Sequence, residues 1–147
     1  QRLADSKSMH LEHLQFLFSI PNTQWINLQY GDVGDTLNDL SVEYKNIHYF
    51  DEIDPLIEIE SQLALISNLD LVIQPSNASI HFAGALGVKS WVLLGHPHDF
   101  RWFPNGKDEQ SAWYPSVRMI KKGQKQSWEE LVESLVPELT ALAATKS

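Results

Sequence analysis

The chain has 147 residues, of which 43% are hydrophobic and 20% are charged, a composition typical of a single globular domain. Its formal net charge of −8 argues against sequence-independent binding to nucleic acid, and its lack of cysteine excludes disulfides and thiolate metal sites. No apolar run approaches the roughly eighteen residues that a transmembrane helix needs.

The first ten residues contain neither an initiator methionine nor the apolar core of a signal peptide. We therefore expect a cytoplasmic protein in which residues 1–147 form one domain, cut from a longer chain. The charges are unevenly distributed: residues 32–60 carry nine acidic side chains against Lys45 alone, and residues 101–125 carry six basic and two acidic ones. This asymmetry either steers an anionic ligand towards the basic segment or reflects two solvated faces.

The N-terminal half alternates the patterns of helices and strands. Apolar residues recur at helical spacing near the start and again after residue 58, where Ile59, Leu63 and Ile66 are expected on one helical face. The predicted elements are a helix over residues 4–18, a strand over Trp25–Gln29, a mainly loop segment over residues 30–44, a strand over Ile47–Phe50 and a helix over residues 58–68.

The C-terminal half contains apolar runs typical of strands that are buried on both faces of a parallel sheet. Gly87 lies where a helix usually ends in a left-handed residue, and Ser127 is a favourable N-cap. Pro137 is expected to break or restart the last helix. The predicted elements are a strand over Leu71–Ile73, a helix over residues 77–86, a strand over Ser90–Leu94, a loop over residues 95–116, a strand over Val117–Lys121 and a helix after Ser127.

This alternation predicts a doubly wound, Rossmann-like α/β domain with three layers and about five parallel strands in the order 2-1-3-4-5. In such sheets, ligands bind beyond the carboxyl ends of the strands, where the turns meet helix N-termini. The three turns of interest follow Gln29, Ile73 and Leu94.

The turn after the third predicted strand carries the strongest candidate site. Ser76, Asn77 and Ser79 place hydroxyl and amide groups at a helix N-terminus, where backbone N–H groups carry partial positive charge. A phosphate suits this arrangement best, and His81 is placed to donate to a phosphate oxygen or to supply a proton. Gly84 is expected to let the helix lie close to the sheet. The alternative is that Ser and Asn only cap the helix and that His81 is a satisfied polar residue.

Two other groups of residues are candidates for a metal site and for a surface that stacks on a base or sugar. The segment "HPHD" (residues 96–99) offers three potential ligands, His96, His98 and Asp99, within four residues; ligands this close in sequence rarely converge on one tetrahedral ion, so no metal site is predicted. The long loop is rich in aromatic residues, which either stack on a base or sugar or pin the loop to the core. These aromatic residues are Trp102, Phe103, Trp113 and Tyr114.

Several motifs occur in an order that resembles a known family. "DLVI" is followed by "SIHFAGALGVKSWVLL", later segments read "DFRW" and "SAWYPSVRMIKK", and "INLQYGD" lies upstream. Together they resemble the C-terminal nucleotide-binding domain of GT-B glycosyltransferases. The nearest branch is the heptosyltransferase-like family 9, including its tetratricopeptide-repeat-linked members. The resemblance covers roughly residues 2–136.

The resemblance implies half of a GT-B fold, which holds a nucleotide diphosphate sugar for an inverting hexosyl or heptosyl transfer. It implies no metal or other cofactor, and a separate N-terminal acceptor or repeat domain without which this half is not competent. His81 would stabilise the leaving diphosphate, and no other catalytic residue is assigned. The residues implied to bind the diphosphate are Ser76, Asn77, Ala78, Ser79, His81, Gln29 and Asp32. Those implied on the sugar or acceptor side are His96, Arg101, Trp102 and Trp113.

Departures from the family pattern keep a second interpretation open. The family's Asp-Thr pair is replaced by Ser76-Asn77, its basic residue in the turn after the first strand by Tyr30, and its opening strand, expected before Arg2, is missing. The alternative is a degenerate, non-catalytic nucleotide-binding or scaffold module. A flavodoxin-like or response-regulator-like domain has less support, because no acidic phosphorylation pocket is evident.

Overall fold

The structure, a computed structural model, describes residues 9–28, 34–50, 57–98, 101–104 and 109–145. The strands are β1 (Trp25–Ile26), β2 (Ile47–His48), β3 (Val72–Pro75), β4 (Ser90–Leu94) and β5 (Val117–Lys121). The helices are α1 (Gln15–Phe18), which follows a 3₁₀ turn at Leu11–Leu14, α2 (Gly34–Glu43), α3 (Ile59–Ser67), α4 (Ala78–Ala85) and α5 (Trp128–Thr145).

The described residues form two compact units. The strand-rich unit contains those of Ile57–Lys125, and the helix-rich unit contains those of Met9–Leu56 and Gln126–Ser147. Each unit has its own small parallel sheet.

In the strand-rich unit, β3, β4 and β5 form a parallel sheet in that order. All five residues of the central strand β4 are buried, as expected for an apolar strand covered on both faces. Helix α4 packs on β3 and β4 and against α3, and Ile66 and Ile80 of these helices are fully buried. The strand β3 therefore runs out of a well-packed core directly into the turn that begins α4.

In the helix-rich unit, β1 and β2 form a short parallel pair, and α1 packs against α5. Phe18 at the end of α1 packs edge-on against Trp25 and Tyr44, with ring centroids 5.4 and 5.6 Å apart. The side-chain amide of Asn46 donates to the backbone carbonyls of Phe18 and Thr23 and so ties the start of β2 to the end of α1.

The α/β class of the predicted fold is confirmed, because the described residues form helices and parallel strands. The strands β4 and β5 have the predicted bounds. Gly87 follows α4 with a φ of 72°, the left-handed conformation expected there. Ser127 caps α5: its Oγ accepts from the Glu130 N–H at 3.1 Å, and the Glu130 carboxylate accepts from the Ser127 N–H at 2.9 Å.

The predicted arrangement of one sheet in the order 2-1-3-4-5 differs from what the described strands form. The hydrogen-bonded neighbours are β1-β2 and β3-β4-β5, and the described residues contain no ladder between the first and third strands. The strand predicted over Trp25–Gln29 is assigned only at its first two residues. A ladder this short has few hydrogen bonds with which to extend a sheet.

Two predictions in the first half were wrong in part, one of a loop and one of the buried face of a helix. Residues 34–43 form α2 rather than a loop, because Leu37 and Leu40 are spaced to bury one helical face. On α3 the buried face consists of Gln62 and Ile66, whereas Ile59 is about half exposed.

The first and last helices also differ from expectation. The helix predicted over residues 4–18 begins within the described residues as a 3₁₀ turn at Leu11–Leu14 and continues as α1. Pro137 lies inside α5 and neither breaks nor restarts it. Proline removes the donor for the carbonyl of Glu133, four residues earlier. Both residues are exposed, so water can satisfy that carbonyl.

Candidate functional site

The start of α4 has the geometry of a capped helix N-terminus. Asn77 is extended, with a φ of −149°, and its Oδ1 accepts a hydrogen bond from the Ile80 N–H at 3.2 Å. By helix geometry, the N–H groups of Ala78 and Ser79 have no intrahelical acceptor. Asn77 therefore serves as the predicted N-cap, and two backbone donors remain for other acceptors.

Ser79 points into the protein. The residue is 1% exposed, and its Oγ accepts a hydrogen bond from Nε2 of the buried Gln62 at 3.0 Å. This bond joins α3 to α4 inside the core. The hydroxyl predicted to face an anion is thus engaged between two helices, and Ser79 offers its backbone N–H instead.

Ser76 is joined to a residue of the long loop. The indole Nε1 of Trp102 donates to Ser76 Oγ at 2.8 Å, and Trp102 is only 4% exposed. The two residues are separated by 26 positions in sequence. The loop after β4 therefore folds back onto the turn between β3 and α4.

His81 is held by two aromatic residues of the same loop. Its Nδ1 lies 3.0 Å from the Tyr114 hydroxyl. Its ring stacks on Trp102, with centroids 4.9 Å apart and planes inclined by 24°, and meets the Tyr114 ring edge-on at 5.7 Å. We call Ser76, His81, Trp102 and Tyr114 the His81 cluster. The cluster fixes both the position and the plane of the imidazole on the first turn of α4.

Gly84 explains how Tyr114 comes so near the helix. A Cβ built on Gly84 would lie 2.5 Å from Tyr114 Cγ and 2.8 Å from both Cδ atoms. Gly84 was predicted to allow close approach between helix and sheet, but the close neighbour is the Tyr114 ring. Only glycine leaves room for that ring beside His81, one turn earlier on the same face of α4.

The residues predicted on the sugar or acceptor side lie in three places. Trp102 belongs to the His81 cluster, and Arg101 beside it is exposed. Trp113 is 65% exposed and packs edge-on against Phe103, with centroids 5.7 Å apart. His96 is exposed, and its ring contacts that of His98. Gln29 and Asp32, predicted beside the diphosphate, lie outside the described residues.

Three residues of this region were not predicted as site residues. In the sequence, Tyr114 is one of four aromatic residues of the long loop, and nothing distinguishes it from the others. Gln62 occupies a buried position on α3. Gln74, on β3 two residues before the turn, is 5% exposed, and its Oε1 has no hydrogen-bond partner among the described residues. A buried amide within an apolar strand or helix face is the sequence signal that was available for both glutamines.

Within the described ranges, no group of three or more His, Asp or Glu side chains could hold a metal ion. Among the same residues, no helix is both long enough and apolar enough to cross a membrane.

Comparisons with known proteins give one curated relative. Over 129 residues the chain is 34% identical to Protein FlbA of Caulobacter vibrioides, a match that covers 85% of this chain and 20% of FlbA. The chain thus spans about a fifth of the length of the curated relative it matches. No protein-family model matches the chain, and no solved structure matches it significantly.

Proposed function

We propose that the chain is the nucleotide-diphosphate-sugar-binding half of an inverting glycosyltransferase, related to the heptosyltransferase-like family 9. One observation carries the proposal: the parallel strand β3 runs through Ser76-Asn77 directly into α4, with the His81 imidazole held on its first turn. This is the edge of a parallel sheet where α/β proteins bind ligands, and a helix N-terminus there favours an anion.

The groups at this edge suit a pyrophosphate that is leaving a sugar. In the proposal, the N–H groups of Ala78 and Ser79 and the imidazole of His81 act as donors, and donors held in place stabilise charge that develops on the leaving group. In the proposal, Gln29 and Asp32 complete the diphosphate site. Catalysis then requires no metal ion from this half.

The proposal includes a sugar or acceptor side and a larger fold. His96, Arg101, Trp102 and Trp113 are assigned to that side. The five strands would complete a Rossmann-like half of a GT-B fold in the order 2-1-3-4-5. The acceptor and the general base would come from an N-terminal acceptor or repeat domain. A protein of the length of FlbA has room for such a domain, because the match covers a fifth of it.

A second candidate function is a non-catalytic nucleotide-binding or scaffold module. It is favoured by hydrogen bonds that already engage the side chains of the site within the protein: Ser76 with Trp102, Asn77 with the Ile80 N–H, Ser79 with Gln62 and His81 with Tyr114. Side chains that satisfy each other contribute less to a ligand, because binding must first break or share these hydrogen bonds. The two candidates differ in whether sugar transfer follows nucleotide binding, and a pure scaffold module would not bind a nucleoside diphosphate at all.

Calorimetric titration with ADP, UDP, GDP and their sugar conjugates tests whether a nucleotide binds, and an assay of sugar transfer by the longer protein that contains this chain then separates an enzyme from a non-catalytic nucleotide-binding module. We expect at least one nucleoside diphosphate to bind, and His81→Ala to weaken its binding about 10- to 150-fold, the effect of one lost hydrogen bond to a charged group. His48→Ala is the control, because His48 is an exposed histidine of the helix-rich unit. If no nucleoside diphosphate binds this chain or the longer protein that contains it, the enzyme proposal is wrong.

A further inference from the structure

The buried face of α3 contains a glutamine beside an apolar residue. Gln62 is 4% exposed, and Ile66, one turn later on the same face, is fully buried. A buried amide without a hydrogen bond is unfavourable, so packing alone would favour an apolar residue of similar size at this position. Gln62 instead donates from Nε2 to Ser79 Oγ at 3.0 Å. The amide on the buried face of α3 is therefore accounted for by its bond to Ser79.

Ser79 is the second residue of α4 and so lies in the turn that a helix holds least firmly. The first N–H groups of a helix have no intrahelical acceptor, and helix ends fray. Two hydrogen bonds to side chains hold this turn of α4. Asn77 Oδ1 accepts from the Ile80 N–H at 3.2 Å, and Gln62 Nε2 donates to Ser79 Oγ. The first bond is local, whereas the second spans 17 positions in sequence and fastens the turn to a different helix.

The two bonds fix the stretch of backbone that would meet an anion. Ala78 is exposed and lies between Asn77 and Ser79, whose side chains make these bonds. Donors that are already held in place bind an anion without losing further conformational freedom. A frayed turn would have to become ordered as the anion binds, and its affinity for the anion would be lower for that reason.

We infer that Gln62 is a positioning residue of the diphosphate site, which fastens the first turn of α4 to α3 through Ser79 Oγ. It acts on the ligand through the backbone of α4, because its own amide is buried and bonded to Ser79. The inference rests on the proposed function for its ligand, which is the pyrophosphate group of a nucleoside diphosphate. It gives the Ser79 hydroxyl a different role from the predicted one: the hydroxyl anchors the turn and does not contact a phosphate.

Amide hydrogen exchange of the full chain without ligand measures the fastening directly. Gln62→Met removes the amide and keeps the length of the side chain. We expect the Ile80 N–H to exchange about 2- to 12-fold faster in this variant, relative to the Val92 N–H of the central strand β4, because the first turn opens more often. Gln74→Met is the matched control, since Gln74 is also a buried glutamine of this unit and its Oε1 has no hydrogen-bond partner among the described residues. An Ile80 exchange rate that Gln62→Met leaves unchanged, or that Gln74→Met raises equally, overturns the inference.

A second arm separates positioning from stability, with inorganic pyrophosphate and ADP as the probes. Gln62→Met and Ser79→Ala each leave one buried polar group without its partner, and each should raise the unfolding equilibrium constant about 5- to 150-fold. The double variant leaves neither group, so its unfolding constant should lie closer to that of the wild type than the product of the two single effects. All three variants lack the bond, and we expect all three to bind both probes about 2- to 12-fold more weakly.

A merely structural role of Gln62 gives a different pattern, in which affinity follows stability. An affinity that recovers in the double variant together with its stability therefore contradicts the inference, and so does a wild-type affinity in any of the three variants. If the wild type binds neither probe, the proposed function fails, while the exchange rates still decide whether Gln62 fastens the first turn of α4.

Discussion

Two aromatic pairs on the same loop have opposite environments. Trp102 and Tyr114 form the inner pair, which packs around His81. Phe103 and Trp113 form the outer pair, 44% and 65% exposed. The loop segments that carry them run antiparallel and side by side, with the Ala112 N–H donating to the Phe103 carbonyl at 3.0 Å, so neighbouring side chains point to opposite sides.

The sequence left open whether these four aromatic residues stack on a ligand or pin the loop to the core, and the structure gives the two pairs different environments. The inner pair contributes stability and positions a histidine. The outer pair contributes little to stability, because its side chains remain largely in water, and it is open to a ligand. Substitutions on the two sides should therefore give different results in stability and in binding.

The largest expected effect is on stability, at the inner pair. Trp102→Ala should lower the free energy of unfolding by about 3–5 kcal/mol, because it leaves a cavity beside His81 and removes the donor to Ser76. Trp113→Ala should change it by less than about 0.5 kcal/mol. Urea denaturation of both variants measures the difference. Equal losses would show that the loop does not divide into inner and outer sides.

Gly84→Ala tests whether Tyr114, a member of the inner pair, packs against α4. The added methyl group meets the Tyr114 ring, and we expect a loss of about 1–3 kcal/mol, even though alanine favours a helix. Gly34→Ala in α2 is the control, because its Cβ would meet no atom within 4 Å, and it should leave stability equal or slightly higher. Thermal and urea unfolding provide the comparison. A neutral Gly84→Ala would mean that Tyr114 is not packed on α4.

The smallest expected effect is on binding, at the outer pair. If Trp113 stacks on the sugar, Trp113→Ala should weaken a nucleoside diphosphate sugar about 2- to 10-fold while leaving the matching nucleoside diphosphate unchanged. Phe16→Ala serves as the control, since Phe16 is a partly exposed aromatic residue of the helix-rich unit. Calorimetry with both ligands gives the two affinities. If the ratio of the two affinities is the same in Trp113→Ala as in the wild type, Trp113 does not contact the sugar.

The sequence predicted best those elements whose patterns are local. The apolar runs of β4 and β5, the cap at Asn77 and the left-handed Gly87 each depend on a few neighbouring residues, and all are present. The helix α2 was missed because its polar residues and its glycine resemble a loop. Its two buried leucines, Leu37 and Leu40, gave only a weak helical signal.

The hydrogen-bond partners of the candidate site residues could not be predicted from local sequence patterns. The bond between Gln62 and Ser79 spans 17 positions, and that between His81 and Tyr114 spans 33. Such pairs form only once the helices and the long loop are packed. The sequence therefore placed Ser76, Ser79 and His81 at the start of α4, but it did not predict the residues of α3 and of the long loop to which they bond.

The most direct test of the central claim, that the start of α4 binds a diphosphate, is an NMR titration of the full chain with ADP, UDP and GDP. It follows the backbone amides of Ala78 and Ser79 and the ring of His81. We predict that the nucleoside diphosphate that binds shifts all three sets of signals together, in a saturable manner. If it binds and these signals stay unchanged, or if none of the three nucleotides shifts them, the claim is contradicted.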